Sequence, residues 1–300
     1  MTRRGAWAFA FMSIVWGASY LLIKIAIDGG MPAPDIAWLR VAIAAVVLVA
    51  VAWRGDGLRG LGGRWKWILA YAVAEISIPF PLIAAGEVHV ASSLTAIIIA
   101  SVPLIVTVLS LRFDPSERPT PLRALGLIVG FGGVIALVGL DVASSSAELL
   151  GAGAIFIGAI GYAIGPMVVK LGMGGLDSRA VMGASLVVAT VILAPFAAVD
   201  LPHRAPSAGA WAAVAALGLF CTAVAFVVYT VLIREVGTSR ATVITYINPL
   251  VALVLGVTLL GERPGSGALV GLVLILAGSW LSTGASRPRR MPLRSGRSRV

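Results

Sequence analysis

The feature that most constrains this chain is a series of long stretches that carry no charge: residues 5–23, 41–53, 88–111, 124–140, 149–169, 180–199, 205–233, 241–261 and 264–286. A hydrocarbon core about 30 Å thick is crossed by roughly 20 residues of α-helix at about 1.5 Å each. Every backbone amide in that medium has to bond inside its own segment, so helix is the form such runs take. Together with the interrupted stretch from Lys66 to Glu87, which carries Glu75, they predict ten transmembrane helices. The predicted limits are 7–27, 35–53, 65–86, 90–111, 121–140, 149–170, 178–199, 208–233, 239–260 and 265–283. The expected fold class is all-α membrane. Ten spans occupy about 200 of the 300 residues and leave no room for a soluble domain.

Where the charges fall decides orientation, because cytoplasmic loops keep an excess of Lys and Arg. With the N-terminus inside, nineteen of the 23 Lys and Arg lie on one side, Arg204 and Arg263 lie on the other, and Lys24 and Arg40 lie within spans. The opposite side carries Asp28, Asp35, Glu87, Asp141, Glu148, Asp200 and Glu262. Both termini are therefore expected in the cytoplasm of a cell whose plasma membrane the chain crosses, with residues 284–300 a basic cytoplasmic tail beside anionic lipid. The net charge of +10 thus reads as a topology signal, and no nucleic-acid partner is expected. Arg3 and Arg4 before an apolar run resemble a secretory leader, but without a clean cleavage site the first span is expected to stay.

The chain also repeats itself. An offset of 146 aligns Lys24 with Lys170, Trp16 with Tyr162, Ser93 with Ser239 and Pro103-Leu104 with Pro249-Leu250. An offset of 145 then aligns Glu117-Arg118-Pro119 with Glu262-Arg263-Pro264, Gly126 with Gly271 and Gly133 with Gly278. Two units follow, 7–140 and 149–283, of five helices each. An odd number of crossings puts the second unit upside down, and inverted halves of this kind rock around a shared central cavity in secondary transporters.

Trp16-Gly17-Ala18-Ser19-Tyr20 leading to Lys24, Thr238-Ser239-Arg240-Ala241 leading to Asn248-Pro249-Leu250, and Leu260-Gly261-Glu262-Arg263-Pro264 before a glycine-punctuated last helix resemble the EamA-type domains of the drug/metabolite transporter superfamily. The resemblance covers nearly the whole chain and is strongest from Val236 to Trp280. It implies a ten-helix basket around a central cavity, made mainly by helices one to four and six to nine, with export of a small metabolite, amino acid or drug-like compound as the commonest role.

Within that frame Glu75 stands out. An ionised carboxylate facing lipid at mid-span costs at least ~2.5 kcal/mol, so it is expected to face a cavity, pair with a base or be protonated. Its functional reading is a proton or cation relay or a contact for a substrate amine; its structural reading is a neutral acid bonded to a neighbouring helix. Its repeat counterpart is Cys221. Lys24 and Arg40 are the bases available to counter it or to bind a substrate carboxylate, against the simpler reading that long bases near helix ends snorkel. Trp16, Tyr20, Tyr162, Tyr229 and Tyr246 lie nearer mid-span than an interfacial aromatic belt would, and are candidate cavity walls. Thr238, Thr242, Thr245 and Asn248 form a polar stripe on helix nine that should avoid lipid.

Pro79, Pro81, Pro103, Pro166 and Pro249 each remove an amide and free a carbonyl four residues earlier, which makes them hinge candidates. Gly126-x-x-x-Gly130, Gly161-x-x-x-Gly165 and Gly267-x-x-x-Gly271 permit close helix approach, open on helices five and ten to either a homodimer or packing within the chain. One cysteine and two histidines argue against disulfides and metal centres, and no phosphate-cradling loop or nucleophile elbow appears. No cofactor and no enzymatic chemistry are expected. The reading is a carrier working by alternating access, with a small molecule, the bilayer and a proton as partners. The alternatives are a passive facilitator and a polytopic membrane protein that transports nothing.

Overall fold

A computed structural model describes residues 2–53, 61–113, 120–142, 145–199, 202, 204–236 and 244–284. Eight helical segments are long and apolar enough to cross a bilayer: α1 (Arg3–Asp28), α2 (Ala33–Trp53), α3 (Gly62–Glu87), α4 (Ser92–Leu111), α5 (Pro121–Val142), α6 (Ser146–Gly172), α7 (Ser178–Val199) and α8 (Ala208–Glu235). Two shorter apolar helices follow, α9 (Ile244–Leu259) and α10 (Ser266–Gly284). Among the described residues there is no strand. Local chemistry sets the starts. Thr2 accepts from Gly5 N to cap α1, Thr120 accepts from Arg123 N ahead of Pro121, and Ser145 and Ser207 accept for α6 and α8.

The two stretches of sequence interlock instead of forming separate bodies. The helix α1 packs on α8 and α9, α2 on α7, α3 and α4 on α6, and α5 on α10. Helices α5 and α10 approach closely because glycines meet there: a Cβ on Gly126 would lie 2.8 Å from the Gly278 carbonyl, and one on Gly133 2.9 Å from that of Gly271. The glycine faces singled out on these two helices are thus spent on each other. Their outer faces carry Ile128, Ile135, Val273 and Trp280, each at least 66% exposed, the composition expected against lipid tails.

Three spans are interrupted within their length, and α5 ends in a π turn at Val138–Val142. The segment α3 consists of a 3₁₀ turn at Gly62–Arg64, an α-helix at Trp65–Tyr71, a π turn at Ala72–Ser77 and a second α-helix at Pro79–Glu87. Pro79 and Pro81 therefore sit in the first turn of a restarted helix, where no amide is needed. The wide turn before them is closed by the Ile78 amide, which donates to the Val73 carbonyl at 3.0 Å. The segment α8 has a π turn at Leu219–Val224, 147 residues later and so one residue past the 146 offset of the repeat. There a hydroxyl takes the place of proline chemistry: Thr222 Oγ1 donates to the Leu217 carbonyl at 2.9 Å.

The third irregular span is α4, which breaks at Ala100–Ser101 just before Pro103; Ser101 Oγ donates to the Ile98 carbonyl at 2.7 Å. Pro249, the repeat partner of Pro103, lies inside an unbroken helix, as does Pro166. Matching prolines thus interrupt one helix and not the other.

Asp28, Glu87, Asp141 and Glu262 gather at one end of the bundle. Ser207 N donates to the Gly29 carbonyl there at 2.9 Å, and Asp141 accepts from Gly267 N (3.1 Å) and Ala268 N (2.5 Å), capping α10. At the other end Arg64 Nη1 donates to the Gly172 carbonyl at 2.8 Å, and Thr2 Oγ1 donates to Glu235 at 2.6 Å. Asp177 turns its carboxylate onto Arg179 at 2.8 Å, and that hydrogen bond holds its acid below the usual aspartate range.

Candidate functional site

The interior of the bundle is polar along one line, and Arg40 anchors it. The side chain comes from α2, is 8% exposed, and has its guanidinium 4.2 Å over the ring of Phe80. Its Nε donates to Thr222 Oγ1 at 2.8 Å, within the π turn of α8. Among the described residues no carboxylate lies within ion-pair distance of it, which leaves a buried cation held by a hydroxyl and an aromatic face. Phe80 in turn meets Tyr162 of α6 edge-on, with centroids 6.3 Å apart. Tyr20 of α1 is half-buried within electrostatic reach of both Tyr162 and Arg40.

Glu75 lies in the π turn of α3 and is half-buried. Its carboxylate rests against Gly165 of α6, where any Cβ would collide with it, and Oε2 is buried without a hydrogen-bond partner. Gly161, one turn earlier, receives the Ala74 carbonyl and the ring of Pro79 in the same way. The Gly161-x-x-x-Gly165 face therefore seats the acid-bearing turn. Tyr71, Tyr162 and Tyr229 lie within electrostatic reach of Glu75. Tyr229 packs on Trp16 (5.1 Å between centroids), and Trp16 meets Phe226 edge-on at 6.3 Å.

Several residues singled out in the sequence do not join this line. Lys24 forms an ion pair with Asp28 at 3.5 Å and donates to the Glu87 carbonyl at 3.3 Å, so it does not counter Glu75. Asn248 is spent on a helix contact: its amide nitrogen donates to the Ile244 carbonyl at 2.9 Å and to that of Ser13 in α1 at 3.2 Å. Thr245 and Tyr246 are half-buried beside it, whereas Thr238, Thr242 and the segment Glu117-Arg118-Pro119 lie outside the described residues. Cys221 is buried, and its Sγ donates to the Val15 carbonyl at 3.3 Å.

Four residues with roles here escaped the sequence reading. Phe80 and Thr222 sit next to residues it did single out, but neither carries a charge to mark it. Glu87 reads as a loop acid at the end of a run, yet it is fully buried, and neither carboxylate oxygen has a partner. Gly86 brings this about: it packs so tightly on α6 that a Cβ there would lie 2.7 Å from the Gly151 carbonyl. Glu262 reads as part of a motif and turns out to be a clamp. Gly261, with φ of +66°, takes a backbone conformation that side chains disfavour and turns the chain back. The Glu262 carboxylate then accepts from Ser92 N (2.8 Å), Ser92 Oγ (2.7 Å) and Ser93 N (3.0 Å), capping α4.

Apolar helices outside and a buried line of arginine, glutamates and aromatics inside define a multi-pass membrane protein of the carrier class. The chain belongs to the EamA-like transporter family, whose sequence model matches it twice, over residues 3–139 and 149–284. It is 30% identical to the uncharacterized inner membrane transporter YedA of Escherichia coli K12, over 89% of both chains. It is also 30% identical to a probable terminal-alkyne amino-acid exporter of Streptantibioticus cattleyicolor, over 96% of both chains. A crystal structure with 19% sequence identity superposes with a TM-score of 0.67 over 94% of this chain and 97% of that one, so the two share a fold.

Proposed function

We propose that this protein is a secondary exporter of small zwitterions of the amino-acid type, working by alternating access between two inverted five-helix repeats. The single observation that carries the substrate class is Arg40. A buried guanidinium that has no carboxylate among the described residues is a site for one from outside, and Arg binds carboxylates through a paired N–H fork. Glu75, whose buried Oε2 lacks a partner, supplies the complementary acceptor for an ammonium group, with Tyr20, Phe80, Tyr162 and Tyr229 as walls. The exporter related at 30% identity supports the same class.

The inverted layout draws support from the matched π turns at Ala72–Ser77 and Leu219–Val224 and from helices of each half packing on those of the other. In this reading the acidic end faces outward, both termini are cytoplasmic, and Pro103 and Pro249 serve as hinges. Reconstituted vesicles offered an apolar L-amino acid, its decarboxylated amine and its deaminated acid test the proposal. The zwitterion is expected to move at least tenfold faster than either partner. Arg40→Gln should erase the preference over the amine, and Glu75→Gln the preference over the acid. Equal rates for all three compounds in the wild type would overturn the reading.

A further inference from the structure

Glu87 stands outside the substrate line, and nothing assigned so far uses it. It ends α3, is 0% exposed, and among the described residues neither of its carboxylate oxygens has a hydrogen-bond partner. Among the described residues, none of the charged groups around it bonds its carboxylate. On α1, Lys24 reaches only its backbone carbonyl and pairs with Asp28, and the Tyr20 phenol faces it. Arg40 of α2 is held by Phe80 and Thr222, Tyr162 of α6 lies within electrostatic reach, and His89 and Glu148 line the cleft beside Val90 and Ala91. From the connection between α9 and α10 comes a second carboxylate, Glu262, whose charge opposes that of Glu87. Taking a carboxylate out of water without pairing it costs several kcal/mol, so this arrangement is compatible with the neutral acid and not with the anion.

The place of Glu87 makes this consequential. Four residues separate it from Ser92, across a tight connection in which Val90 N donates to the Gly86 carbonyl at 2.9 Å. Ser92 and Ser93 are the two residues that Glu262 clamps with three hydrogen bonds. The clamp joins α4 to the connection before α10, and so ties the two matched sequence regions together at the acidic end. Any separation of the start of α4 from that connection has to break it.

We infer that Glu87 is a proton-binding site whose occupancy sets this closure. With the proton on, Glu87 is neutral and Glu262 holds the N-terminus of α4. With the proton lost to water, two carboxylates face each other in a poorly solvated site, and the clamp gives way. A proton fits better than a metal cation. Two bases, Lys24 and Arg40, already stand near, and among the described residues no three His, Cys, Asp or Glu side chains converge to hold a metal. Coupling of this proton to export rests on the carrier reading above; the binding and the closure do not.

Hydrogen exchange at the Ser92 and Ser93 amides, corrected for intrinsic rates, tests the inference in detergent-solubilised or reconstituted full-length protein, with no transport substrate present. In the wild type, protection is expected to fall at least tenfold between pH 5.5 and pH 8. Glu87→Gln should stay protected within twofold across that range, and Glu262→Gln should be unprotected throughout. If the glutamine variant does not fold, Glu87→Met supplies an apolar side chain of similar length with the same expectation. Wild-type protection that is flat with pH, or the wild-type profile in either Glu87 variant, overturns the inference. So does protection at fixed pH that follows Na⁺ when it replaces choline. A protein that shows the pH-dependent closure but moves no zwitterion would sink the proposed function and leave the proton site standing.

Discussion

The turns at Ala72–Ser77 and Leu219–Val224 are the same irregularity at equivalent places in the chain, reached by different chemistry and carrying different cargo. In α3 the proline at 79 forbids a regular bond and the turn holds a carboxylate; in α8 a threonine hydroxyl satisfies the Leu217 carbonyl and the neighbouring residue is a thiol. The comparison separates scaffold from chemistry. A π turn widens the helix and swings one side chain off its normal face, and such turns cluster at functional sites. What the side chain then does depends on the neighbour it meets: Glu75 meets the gap at Gly165, while Cys221 meets the Val15 carbonyl.

The sharpest way to break that comparison is to exchange the two cargoes. Glu75→Gln removes titration while keeping size, and vesicle transport is expected to lose at least tenfold in rate or its response to a pH gradient. Adding Cys221→Glu to Glu75→Cys should fail to restore it, because among the described residues the Cys221 side chain meets the Val15 carbonyl and not a glycine gap. Restored transport would mean that the turns are interchangeable.

Gly165→Ala tests the gap itself. The new Cβ would meet the Glu75 carboxylate, and overpacking of this kind costs about 1–3 kcal/mol. Melting in detergent should drop, and Glu75→Ala in the same chain should recover most of the loss. Additive losses would show that the two side chains do not share the space.

Next comes Thr222→Val, which keeps the shape but takes away the oxygen that accepts from Arg40 and donates to Leu217. A buried donor left unpaired costs about 1–3 kcal/mol, and Thr222→Ser should be nearly silent. Equal melting shifts for the two variants would leave the hydroxyl without a role.

The smallest effect is expected from Cys221→Ala. A thiol is a weak donor, so losing its 3.3 Å contact with Val15 should change stability by less than about 1 kcal/mol and leave transport rates within twofold. A larger loss would make the second turn as critical as the first.

How much of the site was legible varies residue by residue. Glu75 was, because an acid in an apolar run is conspicuous wherever the helix turns. Lys24 and Arg40 looked alike in the sequence and ended apart: one is paired with Asp28 near the acidic end, the other is buried on Phe80. Asn248 carried a stripe pattern that left cavity and helix contact both open, and only the crossing of α1 at Ser13 determined that its amide would be used there. Glu87 was misread as a loop residue, since the end of an apolar run cannot reveal whether the next helix covers it.

By itself the sequence determined the apolar helical runs, the polar positions that lipid would reject and the internal match between halves, the first two because exposing charge or backbone to hydrocarbon is costly. The tertiary structure alone decided which polar groups meet. The burial of Glu87, the three hydrogen bonds of Glu262 to α4 and the seat of Arg40 on Phe80 and Thr222 all join residues from distant parts of the chain. The spacing within one helix says which face a side chain occupies, but how close the neighbouring helix comes depends on glycines in both of them, as at Gly86 and Gly151.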